Sequence, residues 1–565
     1  MEEIDSINSA GKMRWYNVVA AVLLAVALGV WVQTLSAARR EPFSFDDAYM
    51  FARYAAHVRM GLGVAWNLNG GHTYGETSLL WGLVVVVLSY LPLGPWAMLT
   101  LGSWLCSVGA VIAMAWAVAG EARTVALKSV WRVLPLVALP LMVEPVFSTN
   151  QATGMETMLA AMLAAVFLGT VLGWRRGVVL PEIAGGVGLL LFLTRPDAGV
   201  VVVLLPVMMF SLMRSEAMRW SGLARLLGVF GVGVALELVA CKMYFHTALP
   251  LSFYMKGHNA YQGYVGITHP GQQTISFLIA CELFFLVLVF VARKADWRLV
   301  VCCMVPPLVV FFYLRSVVQI MGGDARYYAP YFAFFVVPSL MVLDRWLSDA
   351  EGAWTGRSLR VRSVVAGLVV VSCLVLSSDG VKWWVRRVEK NSHMVYVPAT
   401  LVTKASEPLP FVKWETAMTE ITDVLVAPLP KGATVAATEV GYLGARAPQV
   451  NVIDMAGLND TEIALHGFDV HGVLARKPDL IWMPNSDYTY YNAWMNSNPE
   501  VLAEYDVYAG AGDFGLAIRK DSPYKALLDK QMAVFFADVY PHYAMSDYLV
   551  LSASWTQKQV RFIDD

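Results

Sequence analysis

A succession of about eleven apolar runs, each close to the length of a membrane-crossing helix and parted by short arginine-rich loops, constrains this fold more than any other feature. About 20 apolar residues are needed to cross a hydrocarbon core of about 30 Å. Such runs lie near 16–35, 95–118, 132–148, 156–173, 179–194, 198–214, 224–246, 273–292, 298–316, 329–347 and 363–377. The chain of 565 residues is 57% hydrophobic and only 15% charged, where an average soluble domain is about one quarter charged. It therefore reads as a polytopic α-helical membrane protein with about eleven transmembrane helices. The first run follows Lys12 and Arg14 and ends near Ser36, so a cleavable signal is the alternative to an anchor. Its length exceeds the usual 7–15-residue signal core and favours a retained anchor.

The net charge of −1 gives no support to nucleic-acid binding. Basic residues instead collect in alternate loops, at Arg123, Lys128 and Arg132, at Arg175 and Arg176, at Arg214, Arg219 and Arg225, at Arg293, Lys294 and Arg298, and at Arg357, Arg360 and Arg362. That bias marks the cytoplasmic side. An inside N-terminus then puts Asp46, the loop near Gly154, the Lys256 and Gly322 loops and everything after Asp379 outside the cytoplasm. Residues 78–91 are apolar enough for a helix, but a span there would invert every later loop, so a short re-entrant or interfacial helix is expected. All six cysteines lie in or beside apolar runs, in no disulfide or zinc spacing.

Two domains are expected, a transmembrane domain over 1–377 with a first outer loop at 38–94, and a C-terminal extracytoplasmic domain over 378–565. In the latter, Ala433 to Ala437, Val450 to Ile453 and Leu480 to Met483 are short apolar runs bounded by Gly, Pro or Asp. They read as strands among helices, hence a small α/β domain.

The polar motifs share the outer face: DDAYMFARY, GLGVAWN and YGETSLLW within 46–81, ATGMET at 152–157, LTRPD at 193–197, LPLSFYMK at 249–256, GGDARYYAP at 322–330 and VIDMAGLND at 452–460. In this order and topology they resemble the GT-C class of membrane glycosyltransferases, most of all its terminal arabinofuranosyltransferase branch. The sequence departs from that pattern at Gly154-Met-Glu-Thr, at Leu249-Pro-Leu-Ser and at Tyr74-Gly-Glu-Thr, which touches the choice of sugar and acceptor. The resemblance implies a GT-C fold in a bacterial plasma membrane. It also implies transfer of a monosaccharide, such as arabinofuranose, from a polyprenyl-phosphate donor to a cell-envelope glycan or glycolipid, with inversion.

Such a transfer needs a base for the acceptor hydroxyl and cations for the departing phosphate. Asp46 and Asp47 supply the candidate base, with Asp46 weakly preferred; one of the pair is expected to cap the helix that starts near Ala48. Arg195, Lys256 and Arg326 are the phosphate candidates, because boundary charges default to function. The structural alternatives are Arg195 paired with Asp197 or Glu156, Arg326 paired with Asp324, and Lys256 snorkelling to headgroups. Arg53, Tyr54, Glu156, Asp197 and Asp324 are supporting cleft residues. Tyr488, Tyr490, Tyr491 and Trp494, with Tyr505 and Tyr508, form an aromatic patch suited either to stacking on an acceptor glycan or to core packing. The histidines His57, His72, His246, His258 and His269 match no zinc pattern. A divalent cation, Mg²⁺ or Mn²⁺ on Asp46 and Asp47, is left open by the residues. The competing functions are a lipid-linked sugar flippase, whose charges belong near the midplane, and a transferase of another lipid-borne group, which needs a metal-bound Ser or Thr.

Overall fold

The computed structural model describes residues 15–32, 45–257, 270–317, 319, 322–351, 414–485, 487–512 and 514–550. The chain forms two compact units, one of residues 1–42, 100–237 and 268–392, the other of residues 43–99, 238–267 and 393–565.

The first unit is helical. Counting over both units, five described helices are long and apolar enough to cross a bilayer: Trp15–Val32, Pro95–Glu121, Thr157–Arg176, Trp220–Phe245 and Trp297–Leu314. Two bent pairs raise the number to seven if each is one span: Pro270–Ala280 with Glu282–Val291, at 56°, and Gly323–Tyr331 with Ala333–Ser348, at 52°. A multi-pass membrane protein follows, with five to seven spans in the described residues where about eleven runs were expected. The expected run at 363–377 lies outside the described residues. Those at 132–148, 179–194 and 198–214 fold as the shorter helices Val130–Val143, Pro181–Thr194 and Pro196–Leu212. At 1.5 Å per residue, helices of 14 residues reach about 21 Å. Pro135 and Pro140 lie inside the first, and Arg195 adopts an extended backbone that parts the second from the third. Residues 78–91 hold the 10-residue helix Leu79–Leu88, capped by Ser78, too short to span.

Helix Thr157–Arg176 is the core of this unit. Its Ala160, Ala161, Ala164, Ala165, Gly169 and Gly173 are small enough for neighbouring helices to approach closely. At one end of the unit the basic loops are tied by charge: Arg175 and Arg176 pair with Glu121, Asp344 accepts the backbone N–H groups of Arg123 and Thr124, and Arg345 meets Asp296 at 2.8 Å. Among the described residues, the basic loops at Arg123 and at Arg175-Arg176 thus share the Glu121 end of helix Pro95–Glu121.

The second unit is built on a six-stranded sheet of order β2-β1-β3-β5-β4-β6. Strands β1 (Thr434–Ala437), β2 (Asn451–Asp454) and β3 (Leu480–Trp482) are parallel, with Val435 opposite both Val452 and Leu480. Strands β4 (Tyr505–Tyr508), β5 (Leu516–Arg519) and β6 (Leu549–Val550) continue the sheet antiparallel. The three expected strands are β1, β2 and β3. Their runs are apolar and almost wholly buried, as strands of parallel sheets are.

Residues 45–88 pack into this same unit. Helix Asp47–Arg59 lies against helix Gly441–Arg446, and the approach is close because the second helix carries glycine where they meet. A β-carbon at 441 would strike the Asp46 carbonyl, and one at 444 the Arg53 side chain. The Gly61 to Asn67 turn then covers the exposed edge of β2. The Asn67 amide accepts the Val452 N–H at 2.7 Å and donates to the Val452 carbonyl at 3.0 Å, as a neighbouring strand would. Trp66 Nε1 donates to the same carbonyl at 3.0 Å, and Asn451 Oδ1 accepts the Leu68 N–H at 3.1 Å. A sheet edge that would template aggregation is closed by side chains.

Candidate functional site

Parallel sheets bind ligands beyond the carboxyl ends of their strands, and in the second unit that edge is acidic. Glu439 follows β1, Asp454 ends β2, and Asn485 and Asp487 follow β3. The charges of Asp46 and Asp47 both act on Glu439, along with those of Asp487 and Asp454. The Asn485 amide donates to Glu439. Among the described residues no three His, Cys, Asp or Glu side chains are grouped to hold a metal, so no metal site is assigned to this edge.

The two aspartates have different surroundings. Asp46 is buried, and its carboxylate accepts the backbone N–H groups of Gly441 at 2.7 Å and Tyr442 at 2.8 Å. It therefore caps helix Gly441–Arg446, while it makes no side-chain cap on its own helix, Asp47–Arg59. The expected local cap is replaced by one across the unit, because those N–H groups have no helical partner of their own. Burial pushes Asp46 up to about 6 against the pull of its two donors, and the Asp47 charge adds to the rise. Asp47 is half-buried, in the first turn of the helix. Burial, followed by the four neighbouring carboxylates, raises Glu439 well above the ordinary glutamate value. Burial pushes Asp454 up to about 7 although Asn459 and Ala456 donate to it.

Arg53 and Tyr54 belong to the frame. The Arg53 guanidinium is fully buried and donates to the carbonyls of Trp66, Gly444, Ala447 and Val450 at 2.7–3.3 Å and to Asn67 Oδ1 at 3.3 Å. The Trp66 ring lies under it at 4.7 Å. Burial pushes Arg53 down to about 9. Tyr54 donates to Asn459 Oδ1 at 3.0 Å, and Asn459 in turn donates to Asp454, so the helix holds the turn of the Asp-x-x-Gly-Leu motif. His57 sits between the carbonyls of Ala65 and Pro448, at 2.7 and 2.8 Å, in a structural position.

The first unit holds the other expected group, at the end of helix Thr157–Arg176 away from its Arg175-Arg176 terminus. Arg195 contacts Asp197 through two nitrogens, at 3.1 and 3.2 Å, and Glu156 at 3.5 Å; Tyr331 donates to Asp197 at 3.2 Å. The pairing weighed for Arg195 is thus present with both carboxylates. The Tyr327 ring is shared by two guanidiniums, those of Arg195 and Arg326, each 5.0 Å from its centre. Arg326 is 5% exposed. Asp324 has a left-handed backbone, φ 54°, and its carbonyl accepts the Asn150 amide at 2.9 Å. Lys256 lies in helix Leu251–Gly257 of the second unit, and its side chain is outside the described residues, as are His258 and His269.

Of the aromatic patch, Tyr505 and Tyr508 are buried on β4 and belong to the core. Tyr488, Tyr490, Tyr491 and Trp494 form a row of near-parallel rings, joined by Phe468. Glu439, Tyr327, Tyr331 and Phe468 were not singled out in the sequence. Glu439 had a usable signal, since an acidic residue just past a buried strand sits at the ligand-binding edge of a parallel sheet.

Residues 411–551, which take in all six strands, match the family model of a domain of unknown function, DUF8728. No curated protein matches the chain. The family resemblance thus falls on the sheet of the second unit.

Proposed function

We propose that the chain is a GT-C-type glycosyltransferase that moves a monosaccharide from a polyprenyl-phosphate donor to a cell-envelope glycan, with its polar motifs and sheet domain on the extracytoplasmic face of a bacterial plasma membrane. The observation that carries this reading is the pair Asp46-Asp47 set among the carboxylates at the ends of three parallel strands. A carboxylate at the ligand-binding edge of a parallel sheet lies where an acceptor hydroxyl would meet it, which suits a general base. The motifs in order along 46–460 supply the sugar-transfer chemistry.

Asp46 is engaged by two backbone donors, so Asp47 is the base in this reading and Asp46 the residue that positions it. Asp47 takes the proton from the acceptor hydroxyl as its oxygen forms the new bond to the anomeric carbon. The bond from that carbon to the phosphate oxygen breaks, and polyprenyl phosphate leaves with the electron pair. Arg195 and Arg326, in the first unit, are the candidates that the resemblance offers for the phosphate. Arabinofuranose is the first sugar to try, from the resemblance.

The test is transfer of radiolabel from a panel of polyprenyl-phosphate sugars to a cell-wall glycan extract by the purified protein in detergent. Product from at least one donor is expected. No product from any donor, with donor movement across liposomes, would reject the transferase in favour of a flippase.

A further inference from the structure

We infer that the second unit carries a carbohydrate-binding subsite on Trp494. An open surface groove of about 360 Å³ is lined by Phe468, Asp469, His471, Trp494, Ser497 and Asn498 among others. Its volume falls in the range of small-molecule sites, roughly 300–1,000 Å³. Trp494 is 48% exposed, against 6% for Tyr491 behind it, so the row of rings runs from core to surface and ends in an open indole.

Core packing explains Tyr491 but not the alignment of the rest. Phe468 stacks on Tyr491 at 4.1 Å and 18°, and it is within 10° of the Trp494 plane. Tyr490 and Tyr491 lie within 24° and 28° of that plane, at about 6 Å. Aromatic pairs in cores also adopt edge-to-face geometry, as Phe536 and Tyr548 do in this unit at 69°. Three rings aligned with an exposed fourth fix the indole face, and such a face takes the C–H side of a sugar ring.

Sugar hydroxyls need fixed polar partners beside the ring, and two are present. Asp469 accepts the Gly472 N–H at 2.8 Å and so caps helix Val470–Ala475, while Asn498 Oδ1 accepts from Glu500 at 2.8 Å and caps helix Pro499–Glu504. Capping uses one atom of each and locks both rotamers. Both residues line the groove, and capping leaves Asp469 a second oxygen as acceptor and Asn498 its Nδ2 as donor. His471, held to Glu500 at 3.1 Å, adds a third group. An aromatic platform with acceptor and donor at its rim fits a neutral sugar residue rather than an apolar or anionic ligand. Only the naming of that sugar as part of the acceptor glycan rests on the transferase reading.

The full-length protein in detergent is titrated with neutral tri- to pentasaccharides of furanose and pyranose sugars, by calorimetry and saturation-transfer NMR. Saturable binding by at least one is expected, weakened about tenfold or more by Trp494→Ala and about threefold or more by Asn498→Asp, which keeps the cap and removes the donor. Trp494→Phe, which keeps a ring, should weaken binding less than Trp494→Ala. If Trp494→Ala lowers the melting temperature, the other two variants decide. No saturable binding to wild type, or binding unchanged in the variants, overturns the subsite. Asp47→Asn is expected to bind oligosaccharide normally while losing transfer. Binding without transfer in the wild type would keep the subsite and end the transferase reading.

Discussion

Asp46 caps a helix 395 residues away in sequence, its carboxylate accepting the Gly441 N–H at 2.7 Å. The same glycine admits the Asp46 carbonyl where any β-carbon would collide. One residue pair thus joins the start of the Asp47–Arg59 helix to the end of β1, and it sets Asp47 beside the acidic strand edge.

Removing either partner is expected to destabilise the protein. Hydrogen bonds to charged groups contribute about 1.5–3 kcal/mol each and are not additive, so Asp46→Ala should lose about 2–4 kcal/mol. Gly441→Ala should lose about 1–3 kcal/mol through overpacking. Thermal unfolding in detergent measures both, and an unchanged melting temperature in Gly441→Ala would contradict the close approach.

Arg53 holds four carbonyls and an amide oxygen with no carboxylate among them. A lysine keeps the charge but cannot reach five acceptors from one planar fork. Arg53→Lys is therefore expected to cost about 3 kcal/mol or more, since buried carbonyls left unpaired cost about 1–3 kcal/mol each. Limited proteolysis should then cut between residues 60 and 80, where the turn loses its anchor. A variant with wild-type melting temperature and protease resistance would sink this account.

Stability should depend on pH in a stated direction. Asp46 at about 6 and Asp454 at about 7 lie above their ordinary 3.8, so from about pH 4 to 7 the folded state holds protons that the unfolded state has released. Stability from these groups is present at low pH and lost as pH rises through the folded values. Burial, then Arg53, lowers His57 below its ordinary 6.5, so its contribution falls as pH drops below 6.5. The melting temperature is expected to change little above about pH 7 and to rise as the pH falls from about 7 to 4, with His57 opposing part of the rise below 6.5. Asp454→Asn should flatten that rise; an unaltered slope would remove Asp454 from it.

Three of the six strands were legible in the sequence, and the other three and the span count were not. Strands β1, β2 and β3 are short apolar runs with turn residues at both ends, and nothing else fits those bounds. The runs at 132–148 and 198–214 are as apolar as a span, yet the extended Glu144 ends the first helix and the extended Arg195 parts the second from the helix before it. The motif residues were legible as a set, but their work was not. Arg53, Tyr54 and Asn67 find partners at Gly444, Asn459 and Val452, hundreds of residues away, and no local spacing announces such a pairing. Arg195 was readable, because Asp197 is two residues on.

In the first unit, Arg195 balances two carboxylates. Arg195→Gln leaves Glu156 and Asp197 facing each other without a cation and is expected to lower the melting temperature; adding Asp197→Asn should restore part of the loss. Arg326→Gln is expected to raise the KM for the lipid donor about tenfold with little change in melting temperature. Equal KM values in wild type and Arg326→Gln would take Arg326 out of phosphate binding.

The division of labour between the adjacent aspartates is the centre of this account, and one comparison tests it. Initial rates of sugar transfer and melting temperatures are measured for wild type, Asp46→Asn and Asp47→Asn. The account predicts a rate at least 100-fold lower in Asp47→Asn at an unchanged melting temperature, as loss of a general base gives about 10²–10⁴-fold. It predicts a lowered melting temperature in Asp46→Asn with residual transfer. Full transfer by Asp47→Asn would contradict it.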